Sequence, residues 1–266
     1  LLLYTAIFLL IFLWSRKKSC NDFIILFFLI LAGWLSTNYT GDRPQLFSSF
    51  FAPLSIFLLE NFKDNIRKQR SNLWIFIILP IVMLLWANCH PGISVGIALF
   101  LLYWITEGVK IVLKKEEIEI HNFKKLTAIV FISLTITLAN PGGYKIYLQI
   151  FELQKSNSFQ QLSSEYLSPF VVSKYGATIW PYYIYLFATF FTLIFTFKKI
   201  EPAHTVIILF LLGISLSAFR YIPFLIYICT PLIAAQITDL IKDKHKLNLA
   251  LNKIGLPILI MVMLLS

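Results

Sequence analysis

Residues 73–115 read LWIFIILPIVMLLWANCHPGISVGIALFLLYWITEGVKIVLKK. Two apolar runs, 73–88 and 93–113, are parted by a short polar knot and closed by Lys114 and Lys115. An apolar helix can end on a plain Gly or Asn. The first of these ends on an amide (Asn88), a titratable imidazole (His90) and a Pro-Gly turn former. Runs of this length and apolarity suit a lipid bilayer, where a span needs about 17–25 residues.

The rest of the chain repeats the pattern. Its 266 residues are 58% hydrophobic and 14% charged, with a mean hydropathy of +0.78. Soluble domains carry about 25% charged residues, so the composition excludes an ordinary soluble enzyme. Ten apolar segments are expected: 1–15, 23–37, 46–60, 73–88, 93–113, 126–139, 179–197, 203–218, 221–241 and 254–266. The reading is an all-α, polytopic transmembrane bundle forming a single transmembrane domain over 1–266. Several segments are short and must tilt or borrow flanking residues. The chain opens on Leu1 within an apolar run and closes inside another, which reads as a fragment cut within a span at both ends. The opening run lacks a basic n-region and a small-residue cleavage site, so it is not a convincing signal peptide.

Net charge is +10, and topology accounts for it better than nucleic-acid binding does. Eighteen of the 23 Lys and Arg residues fall in alternate connections: Arg16–Lys18, Lys63–Arg70, Lys110–Lys125, Lys198–Lys199 and Lys242–Lys253. The positive-inside rule assigns those connections to the cytoplasm. The remaining connections then face outward: NYTGDRPQ (38–45), ANCHPG (87–92), the stretch 140–178 and SAFRYIP (217–223). The stretch 140–178 is the one long loop. Within it, 144–155 places Tyr144, Tyr147, Leu148 and Phe151 on one helical face, a pattern for a helix lying in the membrane interface. Cys20, Cys89 and Cys229 have no CxxC spacing and lie in three contexts, so neither a disulfide framework nor a zinc site is expected.

The residues that could carry chemistry gather on the outward side. Arg43 offers a planar fork for phosphate or carboxylate, with Asp42 beside it and Gln45 following at the mouth of the third segment. Asn88 and His90 could line a cavity as hydrogen bonder and titratable partner, or simply stop a helix. Asn140 precedes Pro141-Gly142-Gly143 in a similar arrangement. Asp42, Glu152 and Glu165 are the outward acids, and Asp42 and Glu165 are the candidates for a base or a metal ligand. Arg220 sits at the rim of two closely connected spans, where an anion or a lipid phosphate would offset its cost. Midplane acids are almost absent, Walker A, GxSxG and HExxH motifs are missing, and no internal repeat is evident.

Taken in order, Arg43-Pro44-Gln45, WANCHPG (86–92), NPGGY (140–144), SSEYLSPF (163–170) and FRYIP (219–223) form a set. The set resembles a group of bacterial membrane proteins in the GT-C glycosyltransferase superfamily and covers about residues 40–235. The chain departs from the pattern at Pro91, where Gly is expected, and at Tyr166, where Trp is expected. The resemblance implies a GT-C-like fold and a multi-pass place in the bacterial inner membrane. It implies an inverting hexosyltransferase that takes a sugar from a polyprenyl-phosphate carrier and passes it to an acceptor outside. Asp42, Glu165 and His90 are then the catalytic candidates. Arg43 and Arg220 would hold the carrier phosphate, and Gln45, Asn88, Asn140 and Tyr166 would line the substrate pocket. A divalent cation, Mg or Mn, is the one cofactor candidate. The superfamily's central acid belongs to a first outer loop, which would precede Leu1 here. Two other classes stay open: a lipid or small-anion transporter or flippase, and a non-catalytic membrane assembly protein.

Overall fold

The computed structural model describes residues 1–39, 44–113, 120–148, 152, 164–176, 178–197 and 199–242. The described residues are helical, with no strand among them. Every expected segment from 1–15 to 221–241 coincides with a helix, and 254–266 lies outside the described residues. Three stretches are long and apolar enough to cross a membrane: Asp22–Tyr39, Ile93–Val112 and Phe219–Lys242. Leu73–Cys89, Trp180–Thr196 and Pro202–Ser217 are apolar but shorter. The described part of the chain is thus all-helical, with helices of the length and apolarity of a membrane protein.

The chain divides into two compact units, Leu1–Gly41 with Ser164–Ser266, and Asp42–Ser163. In the first unit the helices are α1 (Leu2–Lys17), α2 (Asp22–Ser36), the short α7 (Pro169–Val172), α8 (Trp180–Thr196), α9 (Pro202–Ser217) and α10 (Ile222–Lys242). Helix α10 is its axis, packed against α1, α2, α8 and α9. Its residues from Ile222 to Ala234 are all buried, as suits a helix that is apolar on every side. Hydroxyls tie the surrounding helices together. Tyr185 Oη donates to the Ile226 carbonyl at 3.2 Å and lies 3.1 Å from Thr230 Oγ1; Tyr182 Oη meets Ser215 Oγ at 2.9 Å; Ser36 Oγ meets Tyr227 Oη at 2.5 Å. Such cross-helix bonds hold bundles where lipid removes the hydrophobic drive between helices. The exposed Phe187, Phe191, Ile194 and Phe195 share one face of α8, a surface that suits acyl chains and not water.

The turn between α1 and α2 shows how that unit finishes its basic end. Asn21 caps α2, its Oδ1 accepting the Phe23 N–H at 3.0 Å, while its own N–H donates to Thr238 Oγ1 at 2.9 Å. Arg16 pairs with Asp22 across the turn. Cys20 is buried beside them, and burial pushes its thiol up to about 12 against the opposing pull of Lys18. All three cysteines are free.

The second unit holds α3 (Gln45–Arg67), α4 (Leu73–Cys89), α5 (Ile93–Val112) and α6 (Ile120–Ile136). Helix α4 packs on α3, α5 and α6, and α5 also packs on α3 and α6. At one end, Glu107 Oε1 accepts from Lys63 at 3.2 Å and from Lys110 at 2.8 Å, with all three side chains buried. At the other end lie the start of α3, the α4–α5 turn and the turn after α6. Residues 145–148 are helical. Of the rest of the expected interfacial helix 144–155, residues 149–151 and 153–155 lie outside the described residues.

Candidate functional site

Asp42 and Arg43 lie outside the described residues. The other expected residues fall into two groups, one at an end of each unit.

In the second unit the α4–α5 turn is built around His90. Helix α4 ends as the His90 N–H donates to the Trp86 carbonyl at 3.1 Å. Pro91 then prevents continuation. The His90 ring folds back over the turn, and Nδ1 accepts the Gly92 N–H at 2.9 Å. Ser48 Oγ, from the first turn of α3, lies 2.7 Å from the same nitrogen. Trp86 Nε1 donates to Ser48 Oγ at 2.7 Å. Ser48 and Trp86 are both fully buried, and His90 is half-buried.

Two glycines make this closeness available. A Cβ on Gly92 would stand 2.4 Å from Ser48 Oγ and 2.7 Å from His90 Nδ1. A Cβ on Gly96 would stand 2.4 Å from the Trp86 ring. The indole therefore packs directly on the α5 backbone while its N–H reaches Ser48. Gln45 opens α3 one turn before Ser48 and is half-buried.

The two expected asparagines of this unit do different work. Asn88 is exposed, and its Nδ2 donates to the Leu84 carbonyl at 2.8 Å and the Ala139 carbonyl at 3.4 Å. It thereby ties the ends of α4 and α6. Asn140 is buried and uses its whole amide on its own turn. Nδ2 donates to the carbonyls of Thr137 and Gly143 at 2.7 and 3.3 Å, and Oδ1 accepts the Gly142 N–H at 2.9 Å.

In the first unit, Glu165, Tyr166 and Arg220 come together. The single-turn segments Ser164–Tyr166 and Phe219–Tyr221 pack side by side. They are joined by the Phe219 N–H donating to the Leu167 carbonyl at 2.9 Å. This puts the Arg220 guanidinium 4.5 Å from the centre of the Tyr166 ring and 5.8 Å from that of Tyr221. The ring faces attract the cation and hold it in place without neutralising it. Tyr39 braces the arrangement: its ring stacks on Phe219 at 4.9 Å and its hydroxyl donates to the Phe219 carbonyl at 2.6 Å. Tyr4 Oη in turn donates to the Tyr39 carbonyl at 3.0 Å. The unit thus brings a planar cation onto two aromatic rings, with a carboxylate in the neighbouring segment.

Sequence reasoning passed over Ser48, Trp86 as a hydrogen-bond donor, and Tyr39. Ser48 stands in QLFSSFFAPLS with no motif around it. The available signal was indirect: Gly92 and Gly96, a turn apart, imply that something large or polar presses on the start of α5. No protein-family model matches the chain, and no curated protein or solved structure matches it significantly.

Proposed function

We propose that the chain is a GT-C-type membrane glycosyltransferase that moves a sugar from a polyprenyl-phosphate carrier to an acceptor at the extracytoplasmic face. The observation that carries the reading is the contact between Tyr166 and Arg220. These residues are distant in sequence and come from two separate motifs of the ordered set. An always-charged guanidinium held on aromatic rings suits a carrier phosphate, whose departure needs a fixed positive charge. On this proposal Glu165, in the same short turn as Tyr166, takes the proton from the acceptor. On this reading the helices form the many-span bundle of that superfamily in a bacterial inner membrane.

The test uses membranes carrying the protein and a radiolabelled polyprenyl-phosphate sugar. Arg220→Ala is expected to lower sugar release by about a hundredfold or more, as the loss of one preorganised charge does. Arg220→Lys should recover only part of it, because an ammonium lacks the planar fork. Glu165→Gln should lower transfer by at least a similar factor. Normal release in both well-folded variants would discard the transferase in favour of a transport or scaffold role.

A further inference from the structure

Two connections between consecutive helices share one backbone plan. After α1, the Ser19 N–H donates to the Arg16 carbonyl at 2.9 Å and the Cys20 N–H to the Ser15 carbonyl at 3.2 Å. After α3, the Gln69 N–H donates to the Ile66 carbonyl at 3.1 Å and the Arg70 N–H to the Asn65 carbonyl at 2.8 Å. Such a nested pair closes a helix through one residue in the left-handed region, a place glycine usually fills. Here Ser19, at φ 56°, and Gln69, at φ 53°, take it. Two amides then pin the second turn. Asn65 Nδ2 donates to the Ser71 carbonyl at 3.4 Å, and Asn72 Nδ2 donates to the Phe62 carbonyl at 3.3 Å.

The shared plan carries different chemistry. In the α1–α2 turn the residue after the left-handed position is Cys20, which is buried, and Arg16 is paired with Asp22. That turn is folded onto its own unit. In the α3–α4 turn the corresponding residue is Arg70. Lys68, Gln69, Arg70 and Ser71 are all exposed, and residues 65–72 include no acid. Arg67 is engaged within the protein, so the cations at issue are Lys68 and Arg70. The Asn65 and Ile66 carbonyls beside them are taken by the turn's own N–H groups.

The chain then continues as an apolar stripe. On α4, Leu73, Trp74, Ile77, Ile78, Ile81 and Leu85 are exposed. From Trp74 their spacing follows the helical repeat, so they line one side of α4, starting at the turn. At 1.5 Å per residue the stripe runs about 18 Å. One leaflet of a bilayer's hydrocarbon core is about 15 Å deep. Trp74 stands at the head of the stripe, and indoles favour the level where headgroups meet chains.

We infer that the α3–α4 turn is a binding site for an anionic phospholipid of the leaflet it faces. Lys68 and Arg70 hold the headgroup phosphate, Trp74 lies at the headgroup boundary, and the stripe from Ile77 to Leu85 receives an acyl chain. The occupant follows from the two features together. The cations alone would serve any phosphate, and the stripe alone would serve any lipid. A zwitterionic headgroup brings its own cation toward Lys68 and Arg70 and offsets the attraction. The site does not depend on the transferase reading.

The test places the full chain in phosphatidylcholine vesicles. A minor share of the lipid is replaced by phosphatidylglycerol or by phosphatidylcholine with brominated chains, which quench an indole they touch. The protein has six tryptophans, so the Trp74 signal is the difference between wild type and Trp74→Phe. Brominated phosphatidylglycerol is expected to win the contact by about tenfold at low salt, the scale set by basic residues at an anionic surface. The preference should shrink as salt rises, because both cations are exposed. Lys68→Gln combined with Arg70→Gln should abolish it, while Lys68→Arg combined with Arg70→Lys should keep it. Lys17→Gln combined with Lys18→Gln removes as much charge from the α1–α2 turn and should leave it intact. Equal quenching by the two lipids in the wild type would overturn the site. So would a preference that survives loss of Lys68 and Arg70, or one that falls equally in the α1–α2 variant, which would show only the general surface charge. Displacement of the lipid by inorganic phosphate at constant ionic strength would reassign the turn to a soluble phosphate and overturn the lipid.

Discussion

His90-Pro91-Gly92 and Asn140-Pro141-Gly142 are the same turn made with different side chains. In each, the residue before proline folds back and accepts the glycine N–H, at 2.9 Å in both. Asn does this commonly, as the Asx turn. Histidine reaches the same place with Nδ1. The difference lies in where each side chain's remaining capacity goes. Asn140 returns its two N–H groups to Thr137 and Gly143, so the turn closes on itself. His90 is joined through Ser48 to the buried indole of Trp86, so its turn is anchored in the core and its other ring edge is held by that anchor. A histidine costs more to orient than an asparagine, and the second unit devotes a serine, a tryptophan and two glycines to it.

The comparison can be broken most forcefully at Trp86. Trp86→Ala should cost about 3–5 kcal/mol, the usual range for emptying a fully buried aromatic site. Unfolding in detergent would measure it. Hydrogen exchange should then quicken at the Gly92 amide and stay slow at Gly142; equal quickening would mean that the two turns share one anchor.

A smaller effect separates the two glycines. Gly92→Ala puts a methyl against Ser48 Oγ and His90 Nδ1, both fixed by hydrogen bonds, and overpacking of this kind costs about 1–3 kcal/mol. Gly142→Ala meets Ile146 Cγ1 at 2.6 Å, an apolar contact with no hydrogen-bonded atom as close. Its cost should stay below about 1 kcal/mol on the same overpacking scale. Equal shifts in unfolding midpoint would show that the His90 turn is no tighter than its partner.

The smallest effect comes from exchanging the two side chains. His90→Asn should keep the turn within about 1 kcal/mol, because asparagine makes the Gly92 bond by itself. Asn140→His should cost somewhat more, about 1–2 kcal/mol, since an imidazole cannot supply both the Thr137 and Gly143 carbonyls. The reverse order would sink the equivalence of the turns.

The helices were legible because long apolar runs broken by Asn, Pro and Gly leave few other readings. The turns were legible only as places where a helix stops. Sequence spacing pairs Asn88 with Asn140, since each ends an apolar run. The structure pairs His90 with Asn140, since each precedes Pro-Gly and accepts the next N–H but one. Asn88 bonds sideways to another helix end, which no local pattern encodes. Ser48 was invisible because its meaning comes from Trp86 and His90, about forty residues on. The contact of Arg220 with Tyr166 was hidden for the same reason, while the two motifs that carry it were quoted from the sequence alone. Asp42 and Arg43, expected at the mouth of α3, lie outside the described residues.

At the opposite end of the second unit, Glu60 precedes Lys63 by three residues on α3, and Glu107 precedes Lys110 by three on α5. All four are buried. Residues three apart are neighbours on a helix surface, so each segment carries an opposite charge within one turn of its own. The consequence concerns synthesis. A segment leaving the translocon with a lone charge waits at a cost until a later helix arrives. These two enter the lipid already balanced, and the bond from Lys63 to Glu107 then selects which finished helices settle together.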